Sequence, residues 1–431
     1  MRAKCLHPPA VSHTPQVVGA WRIVGLLSGT SMDGIDVAVG DLWLDGDTVH
    51  LRPLGHDELA FPPGLRTRLL SALPPAELTA HDLCVLDTEI GQEFAAAARH
   101  AIDTLAAGRA DVVASLGQTL YHWVENGQAR GTLQIGQPAW IAEATNLPVI
   151  ADLRARDVAA GGHGAPLAAV IDTLWLADGA GPERTRIALN IGGIANITVV
   201  GSGRPLAYDT GPGNALLDLA ATRVTGGAAT HDVDGALAAR GSVRAEILDA
   251  LLDDDYFTAP PPKSTGKEHF NAALLDRALA GLAVDDADLL ATLTEFTAVT
   301  IADACLGHRP HDVLVSGGGG ANPTLMAALR RHLDPQGVAV STSDSLGLPA
   351  SSKEAHLTAL IGFLTWVGLP GNVPSSTGAT GPRTLGTIVP GGRPLALPEP
   401  AAHPVRRLRV HPHDSTADRD HQEAPCTQST S

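Results

Sequence analysis

The sequence predicts an α/β protein made of two similar halves with a cleft between them. Three observations lead there. A strand, glycine turn, strand, hairpin, strand and helix pattern occurs twice in the chain. Strand-period and helix-period segments alternate, which suits sheets covered by helices. The 431 residues are 44% hydrophobic but only 3% aromatic, so the chain can bury a large and mainly aliphatic core.

The first unit opens with the apolar run Ile23-Val24-Gly25-Leu26-Leu27, read as a strand. A Gly/Ser/Thr turn follows, then a second strand at 35–39. Asp45-Gly46 marks a hairpin, and 48–54 continues as a third strand. Helical spacing covers 63–72 and 78–105, and 111–116 reads as another strand. The second unit repeats this order. Residues 186–190 and 195–200 read as strands about Gly192-Gly193. The turn Gly201-Ser202-Gly203 leads to a strand at 205–209, and 214–224 is helical. Further on, a strand at 312–315 and a helix at 323–332 flank four consecutive glycines. Residues 1–20 are expected to form an irregular leader, 21–150 a first lobe and 151–394 a second lobe. C-terminal helices of the second would return to the first. Residues 395–431, rich in Pro, His, Arg, Asp, Ser and Thr, read as a disordered tail.

Composition excludes several classes. Forty-six acidic residues against 30 basic ones leave a net charge of −16, which repels nucleic-acid backbones. No uninterrupted apolar run approaches the roughly 20 residues of a membrane span. The first 20 residues contain no apolar signal core, so a cytoplasmic protein is expected. Cys5, Cys84, Cys305 and Cys426 have neither disulfide-framework nor zinc spacing.

The glycine turns carry the chemistry. In Ser28-Gly29-Thr30-Ser31-Met32-Asp33-Gly34-Ile35-Asp36, small residues let the backbone approach an anion, with hydroxyls as further donors. Asp33 and Asp36 fit there if Mg²⁺ stands between carboxylate and phosphate. The segment is neither a Walker loop nor a dinucleotide fingerprint. Asn190-Ile191-Gly192-Gly193-Ile194-Ala195-Asn196 is the equivalent turn of the second half. Gly317-Gly318-Gly319-Gly320 lies between strand and helix, where backbone can meet a nucleotide. Together these turns favour an ATP cleft.

Asp209, in Tyr208-Asp209-Thr210-Gly211-Pro212-Gly213-Asn214, ends a strand of the second half and can accept a proton from water or a hydroxyl. Plain turn chemistry also explains an Asp in this setting, and the residues alone leave both readings open. The lysines of Pro260-Pro261-Pro262-Lys263-Ser264-Thr265-Gly266-Lys267 can meet an anion or sit in solvent. Arg154 and Arg156 can bind a carboxylate, the loop around Gly162 reads as a close-approach segment, and Gln118 is a candidate for sugar hydroxyls.

GLLSGTSMDGIDVAVGDL, LQIGQP, ADLRARDVAAGGHGAPL, LNIGGIANIT, YDTGPGNALLD, PKSTGKEHFN, SGGGGANP and GLPGNVPSSTGA occur in this order. The chain thereby resembles the anhydro-N-acetylmuramic acid kinases. The resemblance implies a duplicated actin/hexokinase-like (ribonuclease H-like) ATPase fold. It also implies a cytoplasmic homodimer that uses ATP and Mg²⁺. The implied reaction phosphorylates O6 of 1,6-anhydro-N-acetylmuramic acid while water opens the anhydro bridge, a step of peptidoglycan recycling. On this basis Asp209 is the general base, and Glu354 helps position water and sugar. Gly29, Thr30, Ser31, Met32, Asp33, Gly34, Ile35 and Asp36 form the ATP loop, joined by Gly192, Gly193, Asn196, Gly317, Gly318 and Gly319. Asp33 approaches the metal, while Gln118, Arg154 and Gly162 meet the sugar. The family commonly has His, Gln and Arg where Leu116, His163 and Ala321 stand. A related sugar or carboxylate kinase without bridge hydrolysis, and a non-catalytic ATP-binding regulator, are the alternatives.

Overall fold

The computed structural model describes residues 19–29, 32–181, 183–201, 203–261 and 263–412. The first sheet begins with an antiparallel meander, β1 (Trp21–Ser28), β2 (Gly34–Asp45) and β3 (Thr48–Ala60). Helices α1 (Pro63–Ser71) and α2 (Ala80–Thr104) follow, then β4 (Val112–Glu125), β5 (Gln128–Ile135), α3 (Pro138–Thr145) and β6 (Val149–Ala151). Short α4 (Ala155–Ala159) and α5 (Ala168–Leu176) lead to the second meander, β7 (Arg186–Ile191), β8 (Ile194–Val200) and β9 (Leu206–Pro212). Its helices are α6 (Ala215–Val224), α7 (Ala245–Leu252), α8 (Asp255–Thr258), α9 (Ala272–Ala278) and α10 (Asp286–Leu306). After β10 (Asp312–Ser316), α11 (Pro323–Leu333) and β11 (Ala339–Thr342), the chain returns through α12 (Lys353–Trp366) and α13 (Pro374–Thr377). Strands β12 (Thr387–Val389) and β13 (Arg407–Val410) end the described chain.

The two sheets share one strand order. The first contains β3-β2-β1-β4-β6 and the second β9-β8-β7-β10-β11. In each, three antiparallel strands are followed by two parallel ones. This is the duplicated actin/hexokinase-like arrangement, visible in the hydrogen bonding itself.

Pleat alternation assigns each face. In β1, Ile23 points to the core between the lobes and Val24 to the outer core under α1–α3. In β10, Val313 and Val315 join the outer core of the second lobe, and Leu314 the core between the lobes. Strands buried on both faces read as near-continuous apolar runs, which is why they were visible in the sequence. Helix α2 is amphipathic and capped. Thr79 Oγ1 accepts from the Asp82 amide at 3.1 Å while Asp82 accepts from the Thr79 amide at 3.1 Å, a reciprocal pair that starts α2. Helix α10 is long and apolar enough to cross a membrane by length and composition, yet it is a buried core helix of the second lobe.

Helices α5 and α12 lie between the sheets. A Cβ on Gly25 would overlap Ala355 O, and one on Gly362 would overlap Ala114 Cβ, so both glycines let α12 lie flat on β1 and β4. Ile23 neighbours Gly362 while Gly25 neighbours Ala355. Helix α12 therefore runs antiparallel to β1, bringing Lys353 and Glu354 to the C-terminal ends of the parallel strands, where open α/β sheets bind ligands.

The expected lobe boundary at 150/151 falls inside β6, and α12, β12 and β13 also pack on or join the first sheet. The expected tail needs correction too. Residues 395–412 run along the first lobe, and β13 adds to the edge of β3. Main-chain pairing holds this segment, with buried Leu408 as its apolar anchor. The remainder of the tail, 413–431, and the leader up to residue 18 lie outside the described residues.

A histidine pair secures β13. His50 Nδ1 lies 2.8 Å from His411 Nε2, and both rings stack on Trp43. Burial pushes both imidazoles below the ordinary histidine value, helped by Arg409 on both and by Arg52 on His411. A group lowered in this way stabilises the fold above its unfolded pKa of about 6.5 and loses that contribution as pH falls through the folded value. Acidification should therefore speed amide exchange in β13 relative to β1. His411→Phe should flatten that pH dependence; an unchanged slope would separate the pair from strand retention.

Candidate active site

A row of polar side chains crosses the second sheet. Ser316 on β10 pairs with Asn190 on β7, Asn190 with Asn196 on β8, and Asn196 with Asp209 on β9. Cross-strand partners share a face. The alternate residues Leu189, Ile191, Ala195, Ile197, Tyr208 and Val315 fill the outer core, so the polar row faces the first lobe. In the first sheet the pleat does the same for Asp36. Val37 and Val39 point to the outer core, and Asp36 lies on the side of Ala38, which packs against Ala355.

Two adjoining chambers fill the space between. One, about 190 Å³, is lined by Leu116, Arg154, Pro166, Asn190, Asn196 and Glu354, among others. The other, about 210 Å³, is lined by Asp36, Asn190, Gly192, Gly317, Gly318 and Lys353, and again by Glu354. Asn190 and Glu354 thus stand where the chambers meet. A larger cavity of about 520 Å³ lies by Trp21, Asp111 and Pro148, at the N-terminal ends of the parallel strands, remote from this row.

Asp36 and Arg154 are half-buried, and Glu354 is exposed. Burial, with Glu58 and Glu354 nearby, pushes the Asp36 carboxyl up to about 7. Neither the Asp36 nor the Glu354 carboxylate accepts a hydrogen bond from the described residues. Burial lowers the pKa of Arg154, and Glu354 raises it; a guanidinium stays charged regardless. Its Nη1 donates to Gly164 O at 2.7 Å, while Nε has no partner among the described residues.

Asp209 lines neither chamber wall but stands one strand beyond Asn196. Its Oδ2 accepts from Ser264 Oγ at 2.8 Å and the Thr265 amide at 3.0 Å, and Oδ1 accepts nothing from the described residues. Tyr256 Oη donates to the Asp209 carbonyl at 2.6 Å, fixing the strand end. Burial raises the Asp209 pKa, Glu268 adds to this, and the two hydrogen bonds to Oδ2 partly offset it.

Several residues singled out from the sequence sit elsewhere. Thr30 and Ser31 lie outside the described residues. Asp33, expected beside a metal, turns outward to Arg66 at 2.5 Å, and Asp36 faces the chamber instead. Gly29 O accepts from the Met32 amide and from Gln118 Nε2, so Gln118 braces the turn and does not line the sugar-side chamber. Met32 and Ile35 are buried in the outer core, and Gly34 packs on the Leu59 backbone. A Cβ on Gly162 would overlap the buried Asp157 carboxylate, which also accepts from Gly164 N, Asn372 and Thr377; the loop is held by that network. Asn196 lines the Arg154 chamber, not the glycine chamber. Gly193 faces Lys267, and Gly319 packs on Ile191. Gly317 has φ +81°, and a Cβ there would lie 2.6 Å from Asn190 Oδ1, so the fold itself requires this glycine. Gly318 has no neighbour within 4 Å of a Cβ position and presents bare backbone to the chamber. Lys263 is engaged locally, donating to Tyr256 O at 2.6 Å.

Sequence reasoning missed Lys353 and Asn190 as chamber residues. Asn190 carried a signal, since it stands among apolar strand residues immediately before the glycine turn. Lys353 carried little, because lysine is ordinarily exposed. Among the described residues no group of three His, Cys, Asp or Glu gathers as a metal site.

The family model for anhydro-N-acetylmuramic acid kinase matches residues 21–391. A Streptomyces coelicolor protein of that name is 54% identical over 391 residues, covering 90% of this chain and 99% of its own. A Rhodococcus erythropolis protein of the same name is 48% identical over 400 residues, covering 90% and 100%. One from Picosynechococcus is 37% identical over 380 residues, covering 85% and 99%.

Proposed function

Because this chain belongs to the anhydro-N-acetylmuramic acid kinase family it is a sugar kinase, and we propose that it couples phosphoryl transfer to opening of the anhydro bridge. The reactants are ATP, water and 1,6-anhydro-N-acetylmuramic acid; the products are N-acetylmuramic acid 6-phosphate and ADP. Water attacks C1, the C1–O6 bond breaks, and O6 takes the γ-phosphoryl group as its bond to ADP breaks. One proton of the water passes to Asp209. We place this activity in a cytoplasmic homodimer that recycles peptidoglycan sugars.

The observation that carries this reading is the row Asn190, Asn196 and Asp209 beside two chambers of different character. The glycine-lined chamber suits a triphosphate, since Gly192, Gly317 and Gly318 offer backbone rather than side chain. The other chamber suits the sugar. Arg154 brings unpaired donors for the lactyl carboxylate, while Leu116, Pro166 and Leu167 offer apolar contact to the bridged ring. Asp209, whose Oδ1 accepts nothing from the described residues and whose pKa burial raises, is suited to accept a proton from water.

The carboxylates also fit a divalent cation. Asp36 and Glu354 share a chamber wall without a cationic hydrogen-bonding partner, and burial, followed by the charges of Glu58 and Glu354, raises the Asp36 pKa. They are the residues that would hold Mg²⁺, which when bound neutralises phosphate charge.

Isotope tracing tests the reaction. With purified protein, ATP, Mg²⁺ and the anhydrosugar in H₂¹⁸O, early product should carry ¹⁸O at the anomeric carbon. Product incubated in the same water without enzyme corrects for spontaneous exchange. A phosphorylated sugar that keeps its bridge, or carries no more label than that control, would leave a kinase without bridge hydrolysis.

A further inference from the structure

Lys353 opens α12 and is only 5% exposed. Its ammonium lies 2.5 Å from Asp172 Oδ1 on α5 and donates to Ser316 Oγ on β10 at 3.1 Å. Asp172 Oδ2 accepts from Thr198 Oγ1 on β8 at 3.0 Å, and Ser316 Oγ donates to Leu189 O on β7 at 3.2 Å. Asp172, Thr198 and Ser316 are each no more than 2% exposed. A continuous, almost dry polar link thus runs from the first turn of α12 to three strands of the second sheet. Helix α12 otherwise packs on β1, β2 and β4 of the first sheet.

A buried ion pair is a weak source of stability, since apolar residues of similar volume often serve as well or better. Its placement is more informative. Glu354, the next residue, borders both chambers, and Ser316 immediately precedes Gly317 and Gly318. The ammonium is already neutralised by Asp172, so it does not reach the chamber as a free phosphate ligand.

We infer that Lys353 is a positioning residue: with Asp172 and Ser316 it ties the start of α12 to the second sheet, holding Glu354 between the chambers and setting the register of the two lobes. This rests on the kinase reading above for its kinetic consequence, but not for its structural one.

The test compares the full-length protein with Lys353→Met, Asp172→Asn and the double variant. Each single variant should lower kcat by about 10- to 100-fold, the scale of a small misplacement of a reacting group, with the KM for ATP changed less than about threefold. Each should also melt earlier, because one buried charge is left alone. The double variant should regain most of the Tm while kcat stays low. Hydrogen exchange in the first turn of α12 should be faster in all three than in the parent, with the last turn unchanged. Three results would overturn the inference. One is a double variant that regains kcat together with Tm, which makes the pair merely structural. Another is Lys353→Met acting on the KM for ATP while Asp172→Asn leaves kcat intact, which makes Lys353 a phosphate ligand. The third is unchanged exchange at the start of α12. If the parent itself fails to phosphorylate the anhydrosugar, the functional reading fails, and the exchange and melting data still decide the link.

Discussion

Asp209→Asn is expected to lower kcat by roughly 10²–10⁴-fold, the usual share of a general base, while nucleotide binding stays near that of the parent. The substitution is close to isosteric. The Asn carbonyl can accept from Ser264 Oγ and the Thr265 amide as Oδ2 does now, so the loop at 263–265 keeps its anchor. What disappears is the capacity to take a proton. Stability should move the other way. Burial raises the Asp209 pKa, so the ionised form is less favourable in the folded chain than in water. Such a group contributes its stabilisation at low pH and loses it as pH rises through the folded value. A neutral Asn removes that loss, and the Tm at neutral pH should equal or exceed that of the parent. A loss of turnover with a fallen Tm would point to a disrupted loop; turnover retained with an intact fold would remove Asp209 from the chemistry.

How much of this was legible depended on how local each signal was. The two meanders were, because strands buried on both faces are continuous apolar runs and their turns carry glycine. The repeat of order also exposed the duplication, and the observed strand order agrees with it. The return of the chain was less legible. Every residue of α12 from Ala355 to Trp366 is buried, so no apolar stripe marks which face meets which sheet. Strand β13 is four residues, Arg-Leu-Arg-Val, among prolines and histidines, and only its pairing with the distant β3 makes it a strand.

Within the candidate site, the glycine turns and Asp209 could be singled out from the sequence because turn chemistry is local. The choice between Asp33 and Asp36 was not local. Pleat parity aims Asp36 at α12, and a contact with Arg66 on α1 draws Asp33 away. The glycine run shows a similar division. Gly317 and Gly319 are required by the neighbouring chain, and Gly318 is the member with open space before it, a distinction that composition does not contain.

Arg154→Lys should raise the KM for the anhydrosugar by about 10²-fold, with a smaller fall in kcat and no change in the KM for ATP. Lysine keeps the charge, so a simple attraction for an acidic sugar would survive the change. The geometry would not. Arg154 uses one nitrogen on Gly164 O and still offers others to the chamber, whereas a single ammonium cannot serve the loop and a carboxylate in the same plane. Arg154→Ala should be worse, because it removes the charge and the donor to Gly164 O together. A second substrate isolates the cause. The parent should prefer 1,6-anhydro-N-acetylmuramic acid strongly over the corresponding anhydro-N-acetylglucosamine, which lacks the lactyl group. Arg154→Lys should bring the two kcat/KM values close together by weakening the acidic sugar alone. If the preference persists in the variant, some other group recognises the carboxylate, and Arg154 serves to hold the Gly164 loop.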